Sequence, residues 1–369
     1  MTGDLFPFKS SNTLGANNHL PLLFEPIGQM IICPYAIIPL KIRLQYLPSH
    51  VYLAKALSMS INWFPGHMNK AIREIKELLP KVDLIIEVVD ARIPFSSANP
   101  VIEQFRGNKP CIKLLNKSDL ADPVVTELWL DYWQQQQGVK AIAVSSQRPE
   151  QIRSLVGLCK NILHGKENAL GNLTAMITGI PNVGKSTIIN ILAGKVIAKT
   201  GNEPAITKGQ QCINLHNGLL LYDTPGILWP KIENVQSGYR LAATGAIKET
   251  AMNNEDVAVF AVGYFLKTYP ELLKQRFKLD VLPDTEIEFL DIVGKQRGCL
   301  GGGGHVDFHK IANIVLQEFR NIVIGRISME RPEDIEREMI VVQQLRDEKL
   351  AQQELSKKQR KKEFNTRNR

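Results

Sequence analysis

The residues best suited to chemistry in this chain form a phosphate-binding loop between an apolar stretch and an apolar-periodic one. In Gly179-Ile-Pro-Asn-Val-Gly184-Lys185-Ser186-Thr187, backbone amides converge on phosphate oxygens, Lys185 supplies a cation for the β- and γ-phosphates, and Ser186 can ligate Mg²⁺. A strand before the loop and a helix after it make this spacing specific for a nucleoside triphosphate. The residues predicted to touch the phosphates are Asn182, Val183, Gly184, Lys185, Ser186 and Thr187.

Two later segments complete a nucleotide switch. Asp223-Thr-Pro-Gly226 follows the apolar stretch 219–222, so Asp223 ends a strand where it can hold Mg²⁺ through water, while the Gly226 amide faces the γ-phosphate. The turn-rich segment 201–208 predicts a mobile first switch with Thr207 as the second protein ligand of Mg²⁺. A plain surface loop of the same composition is the alternative for this segment.

The reader of the base is Asn116-Lys117-Ser118-Asp119, which follows another apolar stretch. The Asp119 carboxylate can accept hydrogen bonds from guanine N1 and the 2-amino group, a pair that adenine does not offer. Ser145-Ser146 ends the next strand and fits the weaker motif whose amide contacts the base oxygen. The predicted ligand is therefore GTP or GDP.

The order of these motifs is reversed, because the base reader lies about 60 residues before the phosphate loop. A parallel sheet tolerates this order, since a cut in one surface connection and a joining of the old ends leave the pocket intact. The sequence therefore predicts a circularly permuted domain.

Apolar segments alternate between strand and helix periodicity up to residue 222, which predicts a mostly parallel, doubly wound sheet. Beyond Trp229 the pattern becomes helical. The predicted fold is an α/β, circularly permuted P-loop GTPase domain followed by a smaller all-helical C-terminal domain. We expect strands at 84–89, 111–115, 141–144, 175–178, 211–215 and 219–222, and helices at 68–79, 124–136, 151–164, 185–192, 257–266 and 308–322.

Three further motifs, together with the permuted order, resemble the ribosome biogenesis GTPase A family and its mitochondrial counterpart over roughly residues 60–331. They are Asn62-Trp-Phe-Pro-Gly-His-Met68, Asp90-Ala-Arg-Ile-Pro94 and Leu241-Ala-Ala-Thr-Gly-Ala-Ile247. The resemblance implies a GTP-hydrolysing assembly factor that engages a precursor of the large ribosomal subunit late in assembly and leaves after hydrolysis. It also implies that the helical domain touches ribosomal RNA.

The resemblance implies two more site residues. His67 corresponds to a histidine proposed to assist the attacking water, although a single histidine is more often structural. Asn182 corresponds to an asparagine that ligates potassium in potassium-activated relatives. Ile227 stands where conventional GTPases carry a water-orienting Gln, so we expect slow intrinsic hydrolysis that the ribosomal subunit stimulates. The catalytic set is His67, Lys185, Thr207 and Gly226.

The formal net charge of +8 is concentrated at the C-terminus, where residues 356–369 hold seven Lys or Arg and one Glu. Such a tail is either a solvated, disordered end or an arm for phosphate backbones. We predict a weakly patterned extension at 1–58, the GTPase domain at 59–234, a helical RNA-binding domain at 235–331, and a charged, helical to disordered tail at 332–369.

Compartment and partners follow less directly. Five scattered cysteines without a C-x-x-C pair indicate neither a disulfide framework nor a zinc module and favour a reducing compartment, and no apolar run is long enough to span a bilayer. Residues 1–58 are poor in Arg for a presequence, so we favour a start codon assigned too early, with Met59 as initiator, or a disordered extension. We expect a monomer off the ribosome, without DNA, in a bacterial cytoplasm. A presequence would instead indicate the mitochondrial matrix or inner-membrane periphery.

Three alternatives remain. An RNA-binding assembly scaffold would make hydrolysis dispensable, and an ATP-dependent kinase or motor is disfavoured by Asp119. The cluster of His305, Asp307 and His309 after the glycine run 301–304 suggests a metal site, but Asp307 as a helix cap, with the glycines beside Lys310 open to an RNA backbone, is the favoured interpretation.

Overall fold

The computed structural model describes residues 67–165, 172–198, 211–229, 231–247 and 252–367. Several sequence predictions lie outside these residues: the extension 1–58, the segment 62–66, and the first switch with Thr207. His67 is described as the first residue of a helix, but its side chain lies outside the described part.

A sheet of six strands forms the centre of the described N-terminal half, in the spatial order β3-β2-β1-β4-β6-β5. All neighbouring strands are parallel except β5 and β6, which are antiparallel. The sheet is therefore mostly parallel, as predicted. The strands are β1 (Leu84–Asp90), β2 (Cys111–Asn116), β3 (Val139–Ala143), β4 (Leu173–Gly179), β5 (Gln211–Asn214) and β6 (Leu219–Asp223).

The central strands are buried along their whole length, since helices cover both faces of the sheet. Every residue of β1 and β2 is buried, which explains their continuous apolar sequences. Glu87 and Lys113 are the charged exceptions before the strand ends. They lie opposite each other in the β1–β2 register, and Lys113 Nζ donates to Glu87 Oε2 over 2.6 Å.

The helices of the N-terminal half begin where the sequence supplies starting signals. Four of them start at a proline, which lacks the N–H that a first helical residue leaves unpaired. The predicted helix 151–164 is two helices that join at Ser154, whose hydroxyl donates to the Gln151 carbonyl and competes with the helical ladder. The helices are α1 (His67–Leu78), α2 (Pro94–Ser97), α3 (Pro100–Arg106), α4 (Pro123–Gln134), α5 (Pro149–Arg153), α6 (Leu155–Ile162) and α7 (Lys185–Ala193).

The C-terminal half is helical in its described part. Phe265 and Phe319 meet in its core with ring centroids 5.3 Å apart. Ile311, Val315 and Phe319 of the helix Phe308–Arg320 are buried, whereas Phe308 is half-buried. The helices are α8 (Val235–Ala243), α9 (Asn254–Thr268), α10 (Pro270–Phe277), α11 (Glu286–Gln296), α12 (Phe308–Arg320) and α13 (Pro332–Arg367).

The charged tail, for which the sequence left helix and disorder open, is helical through Arg367. Val342 is buried and Arg346 pairs with Glu233, whereas the side chains of residues 343–360 are exposed. No helix among the described residues is long and apolar enough to cross a membrane.

A short segment between α12 and α13, residues 326–331, joins the two halves and is called the strap here. Met329 N donates to the Arg92 carbonyl over 2.8 Å, and Trp129 Nε1 donates to the Glu330 carbonyl over 3.1 Å. The Glu330 carboxylate is fully buried and accepts from Ser96 N and Oγ. The strap therefore fixes the helical half against α2, α4 and the residues that follow β1.

Candidate nucleotide-binding site

The predicted nucleotide residues gather at one edge of the sheet. Asp90, Asn116, Gly179 and Asp223 are the last residues of β1, β2, β4 and β6. Asp90 lies opposite Asn116 in the register of these parallel strands, so the strands end together. In open α/β sheets this carboxyl edge is where ligands bind.

The phosphate loop requires its glycines. Gly184 has φ of +93° and lies directly before α7. A Cβ on Gly184 would lie 2.3 Å from Asn116 Nδ2, and one on Gly179 would lie 2.6 Å from the Val88 carbonyl oxygen. The loop is thus packed closely against two strands, and the free amides at the start of α7 form the kind of N-terminus that binds anions.

The base reader is bonded directly to the phosphate loop. Asn116 Nδ2 donates to the Val183 carbonyl over 2.7 Å, and Lys117 Nζ donates to the Asn182 carbonyl over 2.7 Å. Segments about 60 residues apart in the chain therefore form one rigid loop pair, which explains why their reversed order leaves the pocket intact.

Two residues without an assigned role in the sequence analysis hold Lys117 in place. Asp90 Oδ2 accepts from Lys117 Nζ over 2.9 Å, and the same carboxylate accepts from Arg92 Nε and Nη2 over 2.9 and 2.7 Å. Burial alone raises the pKa of Asp90, but the charges of Arg92 and Lys117 outweigh it and hold that pKa well below its usual range. The sequence did contain a signal for the role of Asp90, because Asp90, like Asp223, is an aspartate at the end of an apolar strand.

Lys185 and Asp223 are buried and bonded to each other through Nζ and Oδ1. Burial lowers the pKa of Lys185 and raises that of Asp223, and their mutual attraction opposes both shifts. Lys185 and Asp223 thus lie side by side. A bound phosphate would supply a negative charge to Lys185, and a divalent metal a positive charge to Asp223. The Asp223 carboxylate and the hydroxyl of the half-buried Ser186 are oxygen ligands of the type that Mg²⁺ prefers.

The second switch packs against the phosphate loop. A Cβ on Gly226 would lie 3.2 Å from both N and Cα of Pro181, so only glycine allows this approach without a shift. Ile227 N donates to the Gly179 carbonyl over 3.3 Å, and the Ile227 side chain is buried. An apolar group turned into the core cannot orient a water.

The base side of the site is tied to the end of β3. Ser118 Oγ donates to the Val144 carbonyl over 3.0 Å, which sets the base reader beside Ser145 and Ser146. Ser145 is buried and its Oγ accepts from Gln147 N, whereas Ser146 is exposed and Asp119 is half-buried. The roles of these three residues in reading the base stay predictions.

Among the described residues, no group of three or more His, Cys, Asp or Glu residues could hold a metal ion, so His305, Asp307 and His309 do not form such a group. Asp307 caps α12 instead, because its Oδ1 accepts from Lys310 N over 3.0 Å.

Known proteins match both halves of the chain. A family model described as a 50S ribosome-binding GTPase matches residues 174–278, a stretch that contains the phosphate loop but not the earlier base reader. The ribosome biogenesis GTPase A of Priestia megaterium is 49% identical over 286 residues, which cover 75% of this chain and 99% of that protein. The chain belongs to the ribosome biogenesis GTPase A family. Membership confirms the predicted permuted GTPase fold, its helical C-terminal part and GTP hydrolysis.

Two more relatives of this ribosome biogenesis GTPase A member extend the comparison. The crystal structure of GNP-bound YlqF from T. maritima has a TM-score of 0.51 and 30% identity, and the match covers 72% of this chain and 99% of that one. Mitochondrial ribosome-associated GTPase 1 of Xenopus tropicalis is 35% identical over 212 residues, which cover 53% of this chain and 67% of that protein. The relatives thus include both bacterial and mitochondrial proteins.

Proposed function

We propose that the protein engages a precursor of the large ribosomal subunit late in assembly while GTP is bound, and leaves when GTP is hydrolysed. The observation that carries this proposal is the bonding of both nucleotide loops to the helical half. Asn182 Nδ2 donates to the Gly245 carbonyl over 2.9 Å, and Arg326 Nη2 donates to the Ser118 carbonyl over 3.0 Å. Nucleotide state can therefore bias the position of the helical half.

The nucleotide site is assigned as the sequence predicted. Asn116, Lys117, Asp119, Ser145 and Ser146 take the guanine, and residues 182–187 with Gly226 take the phosphates. Ser186 and Asp223, with Thr207, hold Mg²⁺, which offsets phosphate charge when bound. Asn182 is the proposed potassium ligand, and His67 the residue that assists the attacking water.

The proposed RNA contact is the glycine run 301–304, which precedes α12. These residues and Lys310 are exposed. Gly302 lacks a left-handed φ, and a Cβ there would meet nothing within 4 Å, so the fold itself does not require glycine at this position. A surface without side chains instead admits the close approach of a nucleic-acid backbone, as in loops that clamp RNA.

A substitution at Gly302 tests the RNA contact separately from folding. Gly302→Glu fits the open space but adds bulk and negative charge, so we expect unchanged thermal stability and lost binding to large-subunit precursors. Gly157→Glu is the matched control, because Gly157 is also exposed with nothing within 4 Å of a Cβ. Wild-type binding by Gly302→Glu would remove this loop from the interface.

The timing role is tested by sedimentation of the full chain with cell extract. With a non-hydrolysable GTP analogue the protein should comigrate with large-subunit precursors, and with GDP it should stay at the top of the gradient. Equal comigration in both states would contradict the switch. If Lys185→Ala still supported subunit maturation, the scaffold alternative would replace it.

The domain limits are proposed as 59–234, 235–331 and 332–369, with residues 1–58 as an extension. We propose a bacterial cytoplasmic location, supported by the bacterial relatives at 33 to 49% identity. A mitochondrial location would require that residues 1–58 act as a presequence, which an import assay with the intact chain would detect.

A further inference from the structure

The contact between the phosphate loop and the helical half depends on the orientation of the Gly245 carbonyl. Gly245 follows α8 with φ of +79°, and its carbonyl oxygen accepts the Asn182 amide. Ala246 N donates to the Leu241 carbonyl over 2.8 Å and Gly245 N to the Ala242 carbonyl over 3.0 Å. This pair of bonds is a Schellman turn, which needs a left-handed residue where Gly245 stands.

Arg320, the last residue of α12, binds the same turn. Its Nε donates to the Ala243 carbonyl over 2.9 Å and its Nη2 to the Ala242 carbonyl over 3.0 Å. The end of a helix leaves carbonyls unpaired, and a guanidinium there also meets the negative end of the helix dipole. Arg320 therefore holds the turn from which the Gly245 carbonyl projects.

A second line of contacts returns from α12 to the phosphate loop. Phe319, next to Arg320, packs against the Arg92 guanidinium. The Arg92 Cζ atom lies 5.4 Å from the centroid of the Phe319 ring. Arg92 pairs with Asp90, Asp90 bonds Lys117, and Lys117 Nζ donates to the Asn182 carbonyl. The backbone and the side chain of Asn182 are thus both held from the C-terminal end of α12.

We propose that Arg320 is a positioning residue for the phosphate loop, which acts through the Gly245 carbonyl on the Asn182 side chain. The helical half then sets nucleotide affinity by direct contact. Because the glycine run 301–304 lies at the other end of α12, a ligand bound there and the nucleotide share one rigid helix. This inference rests on the nucleotide site proposed above but does not require the ribosomal partner.

The test is a double-mutant cycle on the purified full chain, with the Kd of a fluorescent GDP analogue as the readout. Arg320→Ala should weaken GDP binding about three- to tenfold, the effect of one lost net hydrogen bond. Asn182→Gly removes the amide and keeps the left-handed φ. If Arg320 acts through Asn182, the double variant should bind GDP no more weakly than Asn182→Gly alone.

Two further variants separate positioning from general stability. Arg276→Ala removes a comparable pair of hydrogen bonds, from Arg276 to Glu318 on the same α12, and should lower the melting temperature without changing the GDP Kd. Arg320→Lys keeps the charge and should restore part of the affinity.

The proposal is overturned if the Arg320 and Asn182 effects add, or if Arg320→Ala leaves the GDP Kd unchanged while lowering the melting temperature as Arg276→Ala does. A wild-type chain that bound no GDP would instead overturn the nucleotide site itself. If the double-mutant cycle showed the expected coupling of Arg320 and Asn182 but the protein did not comigrate with large-subunit precursors, only the proposed ribosomal role would be contradicted.

Discussion

Replacing Asp90 by Asn tests whether the buried charge cluster at the end of β1 holds the base reader. The Asp90 carboxylate accepts from Arg92 N, Nε and Nη2 and from Lys117 Nζ, over 2.7 to 3.1 Å. An amide in its place presents an NH₂ group to donors and leaves the Arg92 guanidinium, whose side chain is 2% exposed, without its anion. Breaking a buried pair in this way costs about 3–5 kcal/mol.

The assay is urea unfolding at pH 7 in the absence of nucleotide, followed by the fluorescence of the buried Trp129 and Trp133. Glu103→Gln is the control, because Glu103 is 50% exposed in its pair with Arg106 and such a pair contributes at most about 1 kcal/mol. We also expect Asp90→Asn to weaken GDP binding, since Lys117 loses its anchor while it still contacts the Asn182 carbonyl.

The pH dependence supplies an independent check on Asp90. Its pKa is lower in the folded chain than in the unfolded one, where it is near 4. Its stabilisation is therefore fully present above about pH 4 and is lost as the pH falls toward the folded pKa. The difference between wild type and Asp90→Asn should shrink below pH 4. A cost under about 1 kcal/mol at pH 7, equal to that of Glu103→Gln, would refute this reasoning.

Three more outcomes follow from the site and the strap. Burial raises the pKa of Glu330 from 4.5 to about 7, so between these two pH values the folded chain holds a proton that the unfolded chain has lost. The free energy of unfolding should therefore fall as the pH rises from 4.5 to about 7, by up to about 3 kcal/mol. Glu330→Gln should abolish this slope in urea unfolding, and a persisting slope would exclude Glu330 as its source. Gly184→Ala places a Cβ 2.3 Å from Asn116 Nδ2 and should abolish GDP binding in calorimetry, whereas Gly194→Ala, also left-handed but open, should retain it. His67→Ala should lower ribosome-stimulated turnover at least tenfold with GDP affinity preserved, and unchanged turnover would remove His67 from the mechanism.

Local sequence patterns were sufficient to predict the strands and helices around the pocket. Each predicted strand overlaps an observed one. For the central strands the reason is that a sheet covered on both faces requires continuous apolar runs. The predicted helix 308–322 corresponds to α12, Phe308–Arg320. The error in the helix 151–164 came from Ser154, whose bond to the Gln151 carbonyl interrupts a pattern that is otherwise helical.

The permuted order was visible in the sequence, but its structural meaning was not. The sequence predicted a phosphate loop, a second switch and a base reader, because their backbone and side-chain chemistry demands particular residues at fixed spacing. The structure brings these segments together at one edge of the sheet. It assigned no role to Asp90 and Arg92, since one charged tripeptide after a strand does not reveal its partners. The roles of the nucleotide-site residues stay predictions, and Thr207 and the His67 side chain also lie outside the described part of the chain.

The sequence by itself determined the chemistry of the pocket, the strand and helix periods, and through its motifs the GTPase family. Only the tertiary structure decided which distant segments meet. Ser96 and Glu330 are 234 residues apart yet share two hydrogen bonds, and Asn182 reaches Gly245 across 63 residues. Local periodicity carries no information on such pairs, because they depend on how the strap and α12 pack against the sheet. That packing brings the helical half into direct contact with the phosphate loop.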